Sequence, residues 1–193
     1  MRKVLLFLSL CLFSAQSSSQ MMTGDVGMKQ IHGDWVSFLL NIGDNTEPRA
    51  SSPSFEDFGP IVIDFARPEC TAHLGFVIPL GLTATADSLR EDITLSLRAD
   101  KKMRYDLPAV SSVTMGDSYA YVLLNATPQF GFILEDMRTG LSLRTKLKIG
   151  NDEENASYAT YSLRGFTAAY NRAYALCTKA SGNNQPPNYI DRL

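Results

Sequence analysis

Histidine occurs twice and cysteine three times in 193 residues. His32 and His73 lie far apart in unlike surroundings, so the chain offers no pair of imidazoles on one helical face to hold a catalytic zinc. No serine stands in a Gly-x-Ser-x-Gly setting, which excludes a serine hydrolase of the elbow type. Neither Gly-x-Gly-x-x-Gly nor a loop ending in Gly-Lys-Ser or Gly-Lys-Thr occurs, so the usual phosphate cradles are missing. An excess of positive charge is missing too: 18 basic residues face 20 acidic ones, a formal net charge of −2, and broad binding to nucleic acid has no electrostatic basis. No apolar run reaches the roughly 20 residues a helix needs to cross a bilayer, and neither heptads nor a repeat of solenoid length is present.

What is present begins with an address. Arg2 and Lys3 precede the apolar run Val4 to Phe13, broken only by Ser9, and Ala15-Gln16-Ser17 places small residues at the −3 and −1 positions of a cleavage site. Residues 1–17 therefore read as a secretory signal, the competing reading being a retained anchor, and Cys11 leaves with it. The exported product is expected in the periplasm or outside the cell, in an oxidising setting. Cys70 and Cys177 then remain, and a bond between them would close a loop of more than a hundred residues, worth about 4–5 kcal/mol by chain entropy. The alternative is two buried free thiols, since spacing alone does not bring two Cα atoms together.

A hydrophobic content of 45% with 20% charged residues describes an ordinary folded chain, and the length suits one domain. Residues 18–30 carry no periodicity and read as a flexible arm, 31–177 as a single β-rich domain, and 178–193, with Pro186-Pro187, as a flexible tail. Trp35 to Leu40 suits a buried strand. Asn41 to Pro60, with Gly43, Pro48, Pro53 and Gly59, reads as a long loop. Ile61 to Ala66 and Cys70 to Val77 read as strands, and Ile93, Leu95 and Leu97 alternate with polar residues in another, with Lys101 to Asp106 as its hairpin partner across Ala99-Asp100. Tyr119 to Leu124, apolar on both faces, belongs in the middle of the sheet. Thr127 as cap and Pro128 at the first position predict a helix carrying Phe130, Ile133, Leu134 and Met137, ended by Gly140. Leu141 to Ile149 then alternates, and Ala156 to Leu163 returns beside it. A last helix carries the stripe Phe166, Ala169, Tyr170, Ala173, Tyr174 and Cys177. The fold expected is mainly β, an antiparallel sandwich-like domain with one internal and one C-terminal helix, the latter stapled to a strand by Cys70–Cys177.

Little chemistry is assembled on this frame. Carboxylates pair at Glu56-Asp57, Glu91-Asp92, Glu135-Asp136 and Asp152-Glu153-Glu154, where solvation is their expected role. No catalytic residue, cofactor site or metal site is assigned. The one patterned charge is Arg144, Lys146 and Lys148 on the outer face of their strand, joined by Lys101, Lys102 and Arg104 from the earlier hairpin. These are the candidate contacts for an anionic partner. The competing reading makes them guards of an edge strand, paired with Asp152, Glu153 and Glu154. Asn125 and Asn155 head glycosylation sequons.

Gly33-Asp34-Trp35, the helix ending at Gly140 before a strand, and Tyr161-Ser162-Leu163-Arg164-Gly165-Phe166-Thr167-Ala168-Ala169-Tyr170 together resemble the invasion-associated locus B family of exported bacterial proteins. The closing pattern, a strand running into Leu-x-Gly-aromatic, a helix and a cysteine, is also similar to the periplasmic accessory protein of type VI secretion. Val36 to Leu40 holds no cysteine where the first family has one. The resemblance implies a non-enzymatic envelope or surface protein associated with virulence, with no catalytic residues to carry over. The function expected is an exported interaction protein with a protein partner in the envelope or host, no nucleic acid and no membrane span after signal cleavage. The alternative is a small periplasmic inhibitor or ligand-binding module working through the Asn41–Pro60 loop.

Overall fold

The computed structural model describes residues 25–42, 44–53, 58–80, 92–112, 119–124, 127–150 and 156–181. Ten strands and two helices follow in the order β1 (Asp25–His32), β2 (Trp35–Ile42), β3 (Asn45–Ser52), β4 (Ile61–Ala66), β5 (Thr71–Pro79), β6 (Ile93–Ala99), β7 (Tyr105–Ser112), β8 (Tyr119–Leu124), α1 (Phe130–Thr139), β9 (Ser142–Ile149), β10 (Ser157–Ser162) and α2 (Phe166–Ser181). All strands hydrogen-bond into one antiparallel sheet, ordered β1-β2-β3-β4-β5-β8-β7-β6-β9-β10, which curls into a half-barrel. The sandwich expected from the alternation is therefore corrected to one continuous sheet. Alternation reports only which side chains point inward. What joins the two halves is the β5–β8 ladder, Gly75↔Leu123 to Pro79↔Tyr119, and local pattern does not encode that pairing. The central position expected for Tyr119 to Leu124 is the one β8 occupies.

The core fills the inside of the curl. Ile61, Ile63 and Phe65 of β4, Leu74, Phe76 and Ile78 of β5, Leu95 and Leu97 of β6, and Leu143 and Leu147 of β9 are all buried there. α2 lies against β1 to β4 and buries Phe166, Ala169, Tyr170, Ala173 and Cys177, the stripe read from its spacing. Its Tyr170 ring meets Phe65 edge-on at 5.1 Å, a geometry that adds about 1 kcal/mol to the burial of both rings. α1 touches α2 and β6, and buries Ile133, Leu134 and Met137. Its cap is Gln129 rather than Thr127: the Thr127 hydroxyl makes no hydrogen bond, and its carbonyl accepts instead from the Phe130 N–H at 3.1 Å.

Three boundaries differ from the sequence reading, each because a distant contact decides it. Residues 25–30 belong to β1 and not to an arm. They pair with β2, and Arg172 of α2 donates to the Met28 carbonyl at 2.7 Å. Residues 45–52 are β3 and not part of a long loop, since Pro48 and Arg49 sit in register with Leu39 and Phe38 of β2. This removes most of the loop on which the inhibitor reading depended. The hairpin partner of β6 begins only at Tyr105, because Asp100 is held elsewhere: its carboxylate accepts from the Leu141 and Ser142 N–H groups, both at 2.9 Å. Leu141 is consequently outside the core, 83% exposed, although the alternation of its strand had pointed it inward.

On the side of the sheet away from the core, the ring of Tyr121 lies over Gly75, where an added Cβ would come 2.7 Å from its Cε2. An aromatic laid over a strand glycine replaces the packing the glycine lacks. Its hydroxyl donates to Asp64, which also receives the Arg49 guanidinium, with Arg49 only 3% exposed. Burial pushes the Tyr121 hydroxyl well above its ordinary range, reinforced by the Asp64 charge. Removing Asp64 alone would take from the buried Arg49 guanidinium its carboxylate partner, a change of the kind that costs about 3–5 kcal/mol.

Candidate functional site

Cys70 and Cys177 are joined in a disulfide with their Cα atoms 5.8 Å apart. The sulfur of Cys177 comes from the buried stripe of α2, and Cys70 lies in the turn just before β5 with φ 56°. The bond thus fastens the end of the last helix to the β4–β5 hairpin, as the sequence reading had it, and the free-thiol alternative is set aside.

The two segments that carry the family resemblance meet in space. Gly33 and Asp34 form the β1–β2 turn, and Ser162 to Gly165 joins β10 to α2. The Asp34 N–H donates to the Arg164 carbonyl at 2.9 Å, and the Trp35 indole N–H to the Ser162 carbonyl at 2.7 Å. The Asp34 carboxylate receives the Arg164 guanidinium at 2.6 and 3.0 Å and the Ser162 hydroxyl at 2.6 Å. Behind these bonds the Trp35 and Phe166 rings pack edge to face at 4.8 Å. Both glycines are required. Gly33 and Gly165 have φ of 64° and 94°, and a Cβ on either would press on backbone of the other segment. This clasp draws the first hairpin onto the end of the last strand, where no ladder runs.

The Arg164 bond, followed by that of Ser162, holds the Asp34 carboxyl below its ordinary value. A carboxyl depressed on folding contributes stability above its unfolded pKa, about 3.9, and loses it as the pH falls through the folded value. Asp34→Asn is expected to lower the urea midpoint at pH 7, and the difference from wild type should shrink toward pH 2.5. Parallel midpoints across that range would show that the carboxylate charge is irrelevant to the clasp.

Arg144, Lys146 and Lys148 do share the outer face of β9, but β9 is not an edge strand, being flanked by β6 and β10. Register places Arg98 of β6 and Thr160 of β10 beside Arg144, Ser96 and Tyr158 beside Lys146, and Thr94 beside Lys148. Of the three additional cations expected from the hairpin, Lys102 and Arg104 are engaged elsewhere. Lys102 pairs with Asp136 of α1 at 3.3 Å, and Arg104 with Asp106 at 2.7 Å. Arg98 takes their place, its guanidinium donating to the Lys101 and Lys102 carbonyls. Sequence reasoning passed over Arg98, although its alternation with Leu97 and Ala99 marked it as outward; only the β6–β9 register could set it beside Arg144. The acids expected to neutralise the strand, Asp152 to Glu154, lie outside the described residues, as do the signal segment, Glu56-Asp57, Glu91, Asn125, Asn155 and the tail beyond Ser181.

Several other polar residues are engaged in the frame. His32 meets the Ser37 hydroxyl at 2.8 Å, and partial burial with the nearby Arg172 charge lowers its pKa. His73 lies opposite Asp64 in the β4–β5 register. Asp136 of the Glu135-Asp136 pair accepts from Tyr105 at 2.8 Å, and burial with that bond pushes the Tyr105 hydroxyl up to about 12. Among the described residues no three His, Cys, Asp or Glu side chains gather as a metal group, and no helix is long and apolar enough to cross a membrane.

No protein-family model matches the chain, and no curated protein matches it in sequence. Among solved structures it is similar to invasion associated protein B from Bartonella henselae, with a TM-score of 0.52 and 13% identity over 78% of this chain and 98% of that one. At that identity the likeness concerns the fold. It agrees with the resemblance drawn from Gly33-Asp34-Trp35 and Tyr161 to Tyr170, the segments that build the clasp.

Proposed function

We propose that the chain is an exported, non-enzymatic interaction protein of the bacterial envelope, virulence-related, which engages an anionic partner molecule in the envelope or host through the outer face of β9. The observation that carries this reading is the row Arg144, Lys146 and Lys148, held on an internal strand beside Arg98. Like charges directly opposite each other on neighbouring strands destabilise a sheet, and the register sets Arg98 and Arg144 directly opposite each other. The disulfide supports export, since such bonds persist outside the reducing cytosol. The similarity to an invasion associated protein supports the virulence connection.

Two measurements test it. Mass spectrometry of the protein recovered from its native host is expected to find a chain beginning after Ser17 and lacking two thiol hydrogens; an intact amino terminus overturns export. A photo-crosslinking residue at Thr160, beside Arg144, is expected to yield an adduct in intact cells that is lost in Arg144→Glu/Lys146→Glu. An adduct unaffected by the charge reversal, or the same adduct from a probe at Lys29 on β1, overturns the assignment of the face.

A further inference from the structure

β1 is an edge strand that carries apolar side chains into solvent. It stands at one end of the sheet order, paired with β2 alone among the described residues, and Val26, Met28 and Ile31 are exposed along it, Ile31 to 72%. Free edges are normally blunted by brevity, proline, charge or a bulge that turns the strand away. β1 is eight residues long, has no proline and carries a single lysine, Lys29. At the opposite end of the order, β10 has six residues and exposes one large apolar side chain, Tyr158, whose ring already meets the Lys146 ammonium at 5.7 Å.

β1 does contain a bulge, and its effect here is to gather the hydrocarbon rather than disperse it. Gly27 stands opposite Leu39 and Gln30 opposite Ser37, so Met28 and Lys29 together oppose Phe38, with Met28 at φ 51°. Without the extra residue Val26 and Ile31 would point to opposite faces. With it, Val26 lies opposite Leu40 and Ile31 opposite Val36, both on the face of β2 away from Trp35 and the core. The backbone follows the same parity. The two-residue turn Gly33-Asp34 closes on the pair His32↔Trp35, which exchanges hydrogen bonds, so Gln30, Gly27 and Asp25 also face β2 while Ile31 and Val26 turn their N–H and C=O groups outward. The Met28 carbonyl between them is taken by Arg172.

We infer that this edge pairs with the same edge of a second copy of the chain, in an antiparallel β1–β1 ladder about a two-fold axis between Met28 and Lys29. Each Val26 then stands opposite the other copy's Ile31, Asp25 opposite His32, and Met28 opposite Lys29. A two-fold contact has to be self-complementary, and this register is. Outward backbone meets outward backbone, hydrocarbon meets hydrocarbon on the face away from the core, the acid meets the imidazole on the other face, and no like charges are directly opposed. A shift of one residue would set the apolar pair on opposite faces. An unrelated strand would require no such symmetry within β1, which is why the occupant is a second copy. The β9 face lies on other strands, so the inference stands apart from the anionic-partner reading.

The experiment is sedimentation velocity of the mature protein, disulfide intact, over a concentration series, where a reversible monomer–dimer equilibrium is expected. Val26→Glu/Ile31→Glu and Val26→Lys/Ile31→Lys should each weaken the dimer at least tenfold, because each sets like charges opposite each other. An equimolar mixture of the two variants should recover it, since every glutamate then faces a lysine. Both positions are exposed, and circular dichroism should show the variants folded. Tyr158→Ser on β10 should leave the dimer unchanged. A photo-crosslinking residue at Lys29 should give an adduct of twice the monomer mass, distinct from the adduct sought at Thr160. A monomer at every concentration overturns the inference, as does a dimer indifferent to the β1 charges or a mixture that stays monomeric. An open-ended polymer sensitive to Tyr158→Ser also overturns it, because that is the signature of β1 pairing head to tail with β10.

Discussion

Replacing Cys70 and Cys177 together by alanine is expected to lower the stability of the domain by about 4–5 kcal/mol, the chain-entropy value for a loop of this length. The sequence separation is 107 residues. For a domain of this size that corresponds to a fall in Tm on the order of 10–15 °C. Alanine is the informative substitute, because Cys177 is fully buried and serine would add an unpaired hydroxyl to the loss. The variant should still fold: Phe166, Ala169, Tyr170 and Ala173 keep α2 on the sheet. Hydrogen exchange should nevertheless accelerate first in its last turns, beyond Ala173. A wild-type melting curve that does not move on full reduction would mean that packing alone holds the helix.

Gly165→Ala is expected to cost about 3 kcal/mol or more, through strain at positive φ combined with a backbone collision. Its φ is 94°, and the new methyl group would overlap the carbonyl oxygen of His32, which belongs to β1 and cannot turn aside as a flexible side chain could. Relief requires the first hairpin to leave the end of β10, losing the Asp34–Arg164 pair and the indole bond to Ser162. The fluorescence of Trp35, the one tryptophan in the chain, reports that separation directly. Gly131→Ala is the matched control. Nothing lies within 4 Å of a Cβ there, and a helical glycine gains up to about 1 kcal/mol on acquiring one. Urea midpoints that fall equally in the two variants would remove the clasp from the account.

Most of the domain's elements could be read from the chain where the pattern is local. The period-two alternation of Ile93 to Ala99 and of Ser142 to Ile149 and the helical stripe from Phe166 to Cys177 each depend on side chains a few residues apart. The candidate face was legible in part for the same reason: Arg144, Lys146 and Lys148 alternate with Leu143, Thr145 and Leu147. Its other half was hidden, because Arg98 joins it through a strand pairing some 46 positions away in sequence. The Arg49–Asp64–Tyr121 cluster was hidden more deeply. It draws on three strands, one of which, β3, has Pro48 in its middle and lacks the apolar alternation of a strand.

Composition and local period, then, determined a β-rich domain with an amphipathic closing helix, and the two cysteines ahead of any geometry were the natural pair for an exported chain. Tertiary structure alone decided that the strands form one curled sheet, that β9 lies inside it, and that Gly33-Asp34-Trp35 touches Arg164-Gly165-Phe166. The reason is physical: hydrogen bonds between strands are made by backbone that is the same in every residue, so partner choice leaves little trace in any one segment and emerges only when all inward faces are buried together.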